Sequence, residues 1–439
     1  MTVDPARRRT AHLLRRAGFG ATAAELDEWS RLSHNDAVER LVSAVDDPAL
    51  ADRSLAQGYD LTTMDGYRAV WLYRMRHTDR PLVEKMALFW HSHFATSNAK
   101  VNRPGFLFDQ YRLFSRQGLG AFGDLVRAVA RDPAMMLFLD LQQNRVGKPN
   151  ENFARELMEL FTTGLGPYTE QDVAEAARAF TGWTVVNGVA TFVPRRHDPR
   201  PKTVLGVTGR LTGDDVIAIL LDRPETATFL ARKLARFFVT DAPDAAFVAH
   251  LADTLRGSDY DLRTTLAALL RSPEFLAEAN YHALIKSPVE LLIGTLKAFD
   301  IAQVLPEHVR LLRAMGQDLF APPTVKGWDG GLAWLSTSTL LQRLTLASTA
   351  AGGRAGRGVD LPALTADLRQ RGLTDPAALV DAWLTWLVDD DATPAARATL
   401  TAYLTAGLPG PFALAGRQSD TKLRGLLHLI VSSPMYHLN

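Results

Sequence analysis

Between residues 150 and 183 the sequence reads NENFARELMELFTTGLGPYTEQDVAEAARAFTGW. On the helix its first half predicts, Asn152, Arg155, Glu156 and Glu159 fall at i, i+3, i+4 and i+7 and share one polar stripe. Phe153, Leu157, Leu160 and Phe161 take the other side and face the core. Two carboxylates in line with a guanidinium suit either general acid–base chemistry or metal ligation, with Arg155 orienting a carboxylate or an anionic substrate. His91 and His93, in FWHSHF, and His197-Asp198 add imidazoles and a further acid. On a regular helix His91 and His93 point about 200° apart, so they can grip one metal only if the helix ends or unwinds between them. Imidazole and carboxylate ligands without thiolate suit iron, manganese or zinc.

The expected metal ligands are therefore His91, His93, Glu156, Glu159 and His197. The expected catalytic set is Arg155, Glu156, Glu159, His197 and Asp198. Trp183, Lys286, Lys326 and Trp328 form the expected substrate-binding set, with Trp183, Trp328 and Trp334 able to stack on sugar rings. A metal-free hydrolase acting on a carbohydrate needs carboxylates about 5–9 Å apart. A non-catalytic helical scaffold that binds a partner protein needs none of this. In that reading Arg155 and Glu159 are an i,i+4 surface pair worth about 0.2–0.5 kcal/mol, and the histidines are satisfied core residues.

Composition narrows the field. The chain has 439 residues, 49 Lys plus Arg against 48 Asp plus Glu, and 47% hydrophobic residues. A net charge of +1 leaves no electrostatic footprint for nucleic acid. The absence of cysteine excludes disulfides, thiolate metal sites and a Cys nucleophile. Without a Gly-x-Ser-x-Gly, a Walker pattern or a dinucleotide glycine motif, a Ser triad, a P-loop and a Rossmann site for flavin or nicotinamide are not expected, and no haem is indicated. No apolar run reaches membrane-span length. The arginines at 7–9 are followed by HLLRRAGFG rather than an apolar segment, so the chain as written reads as cytoplasmic.

The elements that must position these residues read as mainly α: a large multi-helix orthogonal bundle with a small β-hairpin insert near residues 183–206. Asn187-Gly188 between apolar runs is the hairpin signal. Thr22 and Thr169 read as helix caps, each with an acid three residues on. Arg15 and Arg16 read as cations complementing a helix C-terminus, or as a site for an acidic group. Gly316 to Leu335, with Pro322-Pro323 and three glycines, predicts an irregular loop that is either a ligand wall or packed onto the core. DLRTTLAALLRSPEF from Asp261 and KLRGLLHLIVSSPMY from Lys422 form a weak internal repeat. Residues 1–349 are expected as the main helical domain, 350–358 as a flexible linker and 359–439 as a C-terminal helical unit packing on the main domain.

Several stretches together resemble the bacterial family named as a domain of unknown function, number 1800: HLLRRAGFG at His12–Gly20, FWHSHFATS at Phe89–Ser97, NENFARELMELFTTG at Asn150–Gly164, YTEQDVAEAARAFTGW at Tyr168–Trp183, His197-Asp198, IKSPVE at Ile285–Glu290 and LFAPPTVKGWDGG at Leu319–Gly331. They run in the family's order. The resemblance implies a mostly α-helical fold, members that often look exported, and a sulfatase-like protein as partner. This chain departs from the family in carrying no clear export signal.

Overall fold

Proline opens many of the helices. Pro81, Pro104, Pro224, Pro288 and Pro376 each take a first helical position, where the missing N–H is no loss and the fixed φ is already helical. Polar caps do the same work elsewhere. The capping boxes at Thr22–Glu25 and Thr169–Asp172 are both formed. With so many start signals the helices are short, the longest reaching 16 residues. The computed structural model describes residues 4–353, 357–408 and 410–439. Among these the protein is mainly α, with 24 α-helices and two small two-stranded sheets. No helix among the described residues is long and apolar enough to cross a membrane.

The hairpin pairs Trp183–Val186 with Val189–Phe192. Its turn places Asn187 and Gly188 at φ 50° and 80°, the left-handed pair a two-residue hairpin requires. The strand at Lys202 does not join this sheet. Lys202–Val204 pairs instead with Val207–Gly209 across a Leu205-Gly206 turn, so the β region runs past 206 as two separate hairpins.

One hydrophobic cluster runs from Leu13 to Tyr436. The weak repeat has a structural counterpart. The Leu262–Arg271 and Gly416–Val431 helices both lead into a Ser-Pro turn that opens a short helical segment, and Phe275 and Tyr436 are buried there in equivalent places. The linker expected at 350–358 begins inside a helix. Thr337–Gly352 carries Ala350 and Ala351 buried in its last turn, against the Gly416–Val431 helix; residues 354–356 of that expectation lie outside the described residues.

Candidate functional site

The helix of Asn150–Gly164 is not regular. Asn152–Glu156 is α-helical, and Leu157–Phe161 forms a π turn. A wider turn rotates Glu159 away from the line of Glu156, so the expected straight stripe is broken. Arg155 does not pair with Glu159. It reaches back to Glu151 at 3.0 Å and forms a bidentate pair with Glu170 at 2.7 and 2.8 Å. Glu159 accepts from the Tyr168 hydroxyl at 3.3 Å. Glu156 is half-buried and accepts no hydrogen bond among the described residues; burial, then the nearby Glu159 charge, raises its carboxyl above the usual range.

The Pro81–His93 helix stays regular through both histidines, so they leave it on different sides. His91 Nε2 accepts the Phe320 N–H at 2.9 Å, with Trp71, Phe320 and Trp328 around the ring. Burial, with Arg68 nearby, lowers it to about 3, which keeps the ring neutral and able to accept. His93 Nε2 instead donates to the Phe161 carbonyl at 3.1 Å, among Phe89, Trp90, Phe94 and Phe122. Burial first, then Lys233, holds it well below the usual range for histidine.

His91 fixes the Gly316–Leu335 loop. Phe320 sits at φ +62°, a left-handed conformation that a bulky residue rarely adopts. Its N–H donates to His91, its carbonyl accepts from the Asn98 N–H at 2.8 Å, and Arg68 Nε donates to the Leu319 carbonyl at 2.8 Å. At Gly327, φ +88°, a Cβ would stand 2.3 Å from the Ser92 carbonyl, so only glycine lets the loop lie this close. Trp328 lies against His91 and Trp334 is buried. The loop is anchored on the core at Leu319, Phe320 and Trp334, and the expected substrate residue Trp328 stays half-buried against His91. Lys326 pairs with Asp329 at the surface.

His197 is held elsewhere, with Nδ1 bonded to the Thr181 carbonyl at 2.9 Å. The buried Asp198 carboxylate is gripped by Arg200 and Arg178 at 2.7–2.9 Å, and these guanidiniums, Arg200 first, hold it far below the ordinary carboxylate range. A carboxylate so occupied has no free lone pair to take a proton. Trp183 lies under the Arg131 guanidinium, 5.1 Å from ring centroid to cation, and against Phe192. The five expected metal ligands therefore do not converge. Among the described residues no group of three or more His, Asp or Glu side chains stands at metal-binding spacing. The residues present do not fit iron, manganese or zinc at His91, His93, Glu156, Glu159 and His197.

Glu84, on the same helix as His91, is a fully occupied structural hub. It accepts from Trp71 Nε1 at 3.0 Å, Arg74 Nε at 2.8 Å and the Tyr111 hydroxyl at 2.9 Å, and Arg74 also pairs with Asp46.

Lys286 has a different setting. Its Nζ is 4.3 Å from the Tyr436 ring centroid and donates to the Tyr436 carbonyl at 2.6 Å. With only 7% of the residue exposed, burial first and Arg15 next push it down to about 7. It lines a cavity of about 60 Å³ with Arg15, Glu290, Gly294, Asp389 and Tyr436. The segments HLLRRAGFG and IKSPVE meet here. Arg15 lies 2.5 Å from the Asp389 carboxylate, with His282 on its other side at 3.3 Å. Lys85 pairs with Glu290 and donates to the Gly18 carbonyl at 3.0 Å. Arg16 reaches the Asn280 carbonyl at 2.5 Å, and Arg343 the Lys286 carbonyl at 2.9 Å. Burial lowers these guanidiniums to about 9 and about 10. The sequence singled out Arg15, Arg16 and Lys286; Arg15 and Arg16 do stand in the last turn of the Pro5–Arg16 helix, and Arg15 does meet an acidic group, Asp389. It gave no sign of Arg343 or Asp389, which arrive from helices far along the chain.

These features define a large, mainly helical protein in which a small cavity lies beside buried cations. The chain belongs to the family described as Protein of unknown function (DUF1800), whose profile matches residues 12–438. No match was found among curated proteins or among solved structures.

Proposed function

We propose that this protein is a helical scaffold that docks a partner protein through a leucine face. One surface supports the reading. On the Thr337–Gly352 helix Leu340, Leu341 and Leu344 are adjacent at i, i+1 and i+4 and are all exposed, Leu341 to 61%. In the turn just before the helix Leu332 is 78% exposed. Single exposed leucines are ordinary, but a group of them on one helix marks an interaction surface. The partner we name is the sulfatase-like protein that the family resemblance implies. Coexpression of the two chains followed by gel filtration is the test. The expected result is one complex, lost in Leu341→Asp and Leu344→Asp while their melting temperatures stay at the wild-type value. Separate elution of the two wild-type chains at micromolar concentration would sink the proposal.

A second reading rests on Glu156. Its raised, unbonded carboxyl beside Glu159 is the arrangement a general acid uses in glycoside hydrolysis. Assay against a panel of aryl glycosides decides it: turnover abolished in Glu156→Gln supports the hydrolase, and equal rates in both proteins remove it.

A further inference from the structure

Five cationic side chains crowd the region around the Lys286 cavity: Arg15, Arg16, Lys85, Lys286 and Arg343. Arg16 and Arg343 are each about 1% exposed, and Lys85 is fully buried. Two buried carboxylates face them. Glu290 is taken by Lys85 and caps Ser287; Asp389 is taken by Arg15 and His282. Among the described residues Arg16, Lys286 and Arg343 hydrogen-bond only to backbone carbonyls, Lys286 also lying over the Tyr436 ring; Glu290 acts on all three from a distance, joined by Asp389 at Lys286 and Asp241 at Arg16. Among the described residues, Arg15 Nε and the Nε and Nη1 atoms of both Arg16 and Arg343 are buried without a hydrogen-bond partner.

A buried ion costs several kcal/mol in lost hydration unless an opposite charge and hydrogen bonds replace it. Across this region the five cations outnumber Glu290 and Asp389, and a space adjoins Arg15 and Lys286, with the two carboxylates also on its walls. A cavity of about 60 Å³ exceeds what one water needs and has room for a compact anion. Water alone would fill it without neutralising the excess charge.

We propose that this cavity binds one compact oxyanion, of carboxylate or phosphate size, held by the ammonium of Lys286 and the guanidinium of Arg15. The occupant brings the missing acceptors and negative charge to the junction of HLLRRAGFG, IKSPVE and the C-terminal segment. That segment is already tied to the site, since the Lys286 N–H donates to the His437 carbonyl at 2.9 Å and the Asn439 N–H to the Leu284 carbonyl at 2.7 Å.

Calorimetric titration of the extensively dialysed full chain with phosphate, sulfate and acetate tests this, with chloride at equal ionic strength as control. One equivalent of at least one oxyanion is expected to bind, and the preferred anion tells a phosphate-type ligand from a carboxylate. Lys286→Met should weaken binding about 10- to 100-fold, the worth of one charge-assisted hydrogen bond; Lys286→Arg should retain most of it. Native mass spectra cover the case of an anion already bound on purification. Three results overturn the proposal: no oxyanion bound by either method, equal response to chloride, or full affinity in Lys286→Met.

Discussion

Glu84 and Lys286 are both charges buried among aromatic rings, and their surroundings differ in kind. Every direction around Glu84 is filled by a donor from within the chain: Trp71, Arg74 and Tyr111. Around Lys286 the chain supplies carbonyls, a cavity and further cations, while its two acids, Glu290 and Asp389, are already paired with Lys85 and Arg15. A closed network of the first kind holds packed helices in place and has nothing left over for a ligand. The second arrangement lowers stability in isolation and gains it on binding. Among buried polar groups, incomplete pairing is thus a better guide to a site than burial or residue type.

The sharpest way to break the comparison is Glu84→Ala. Removing the acceptor leaves Arg74 buried and short of its partner, with an expected loss of about 3–5 kcal/mol in urea unfolding; a loss below about 1 kcal/mol would mean the network is not what holds these helices. His91→Ala comes next, at about 2–3 kcal/mol. It opens a cavity and strips the acceptor from the strained Phe320 amide. Proteolysis should then cut first within residues 316–335, and unchanged protection there would contradict the pinning role.

Acid should act in the same direction. His91, at about 3, and His437, at about 4, with His12 and His93 also well below 6.5, stay neutral when folded. The unfolded chain takes up protons first as pH falls through 6.5. Stability is therefore full above that pH and declines towards pH 4, by on the order of 2 kcal/mol for each fully buried histidine at pH 5. Asp132, raised by burial to about 7, opposes this by favouring the folded state as pH falls below 7. A melting temperature that does not drop between pH 7 and pH 5 would refute the assignment of the four histidines as buried and neutral. The smallest effect is expected from Arg155→Ala, because its pairs with Glu151 and Glu170 lie at the surface. A melting point within error of wild type is the expected outcome.

Much of the fold was legible because its signals are local. Pro81 and Thr169 mark helix starts, Asn187-Gly188 marks the hairpin, and the period of Phe153, Leu157 and Phe161 marks a buried face. The site was less legible for the same reason. Spacing placed His91 and His93 on one helix but said nothing of Phe320 and Phe161, the distant backbone groups that occupy them. It also gave no sign of the π turn that displaces Glu159, which depends on how that segment packs. Arg15, Arg16 and Lys286 stood out individually. Their excess over Glu290 and Asp389 exists only once three remote segments meet.

The most direct measurement is the urea unfolding free energy of Lys286→Met beside wild type, in buffer free of oxyanions. If the ammonium is an uncompensated charge kept for a ligand, the variant is more stable by about 1–4 kcal/mol despite losing its bond to the Tyr436 carbonyl. A variant less stable than wild type by 1 kcal/mol or more would show that Lys286, like Glu84, is there to hold the fold.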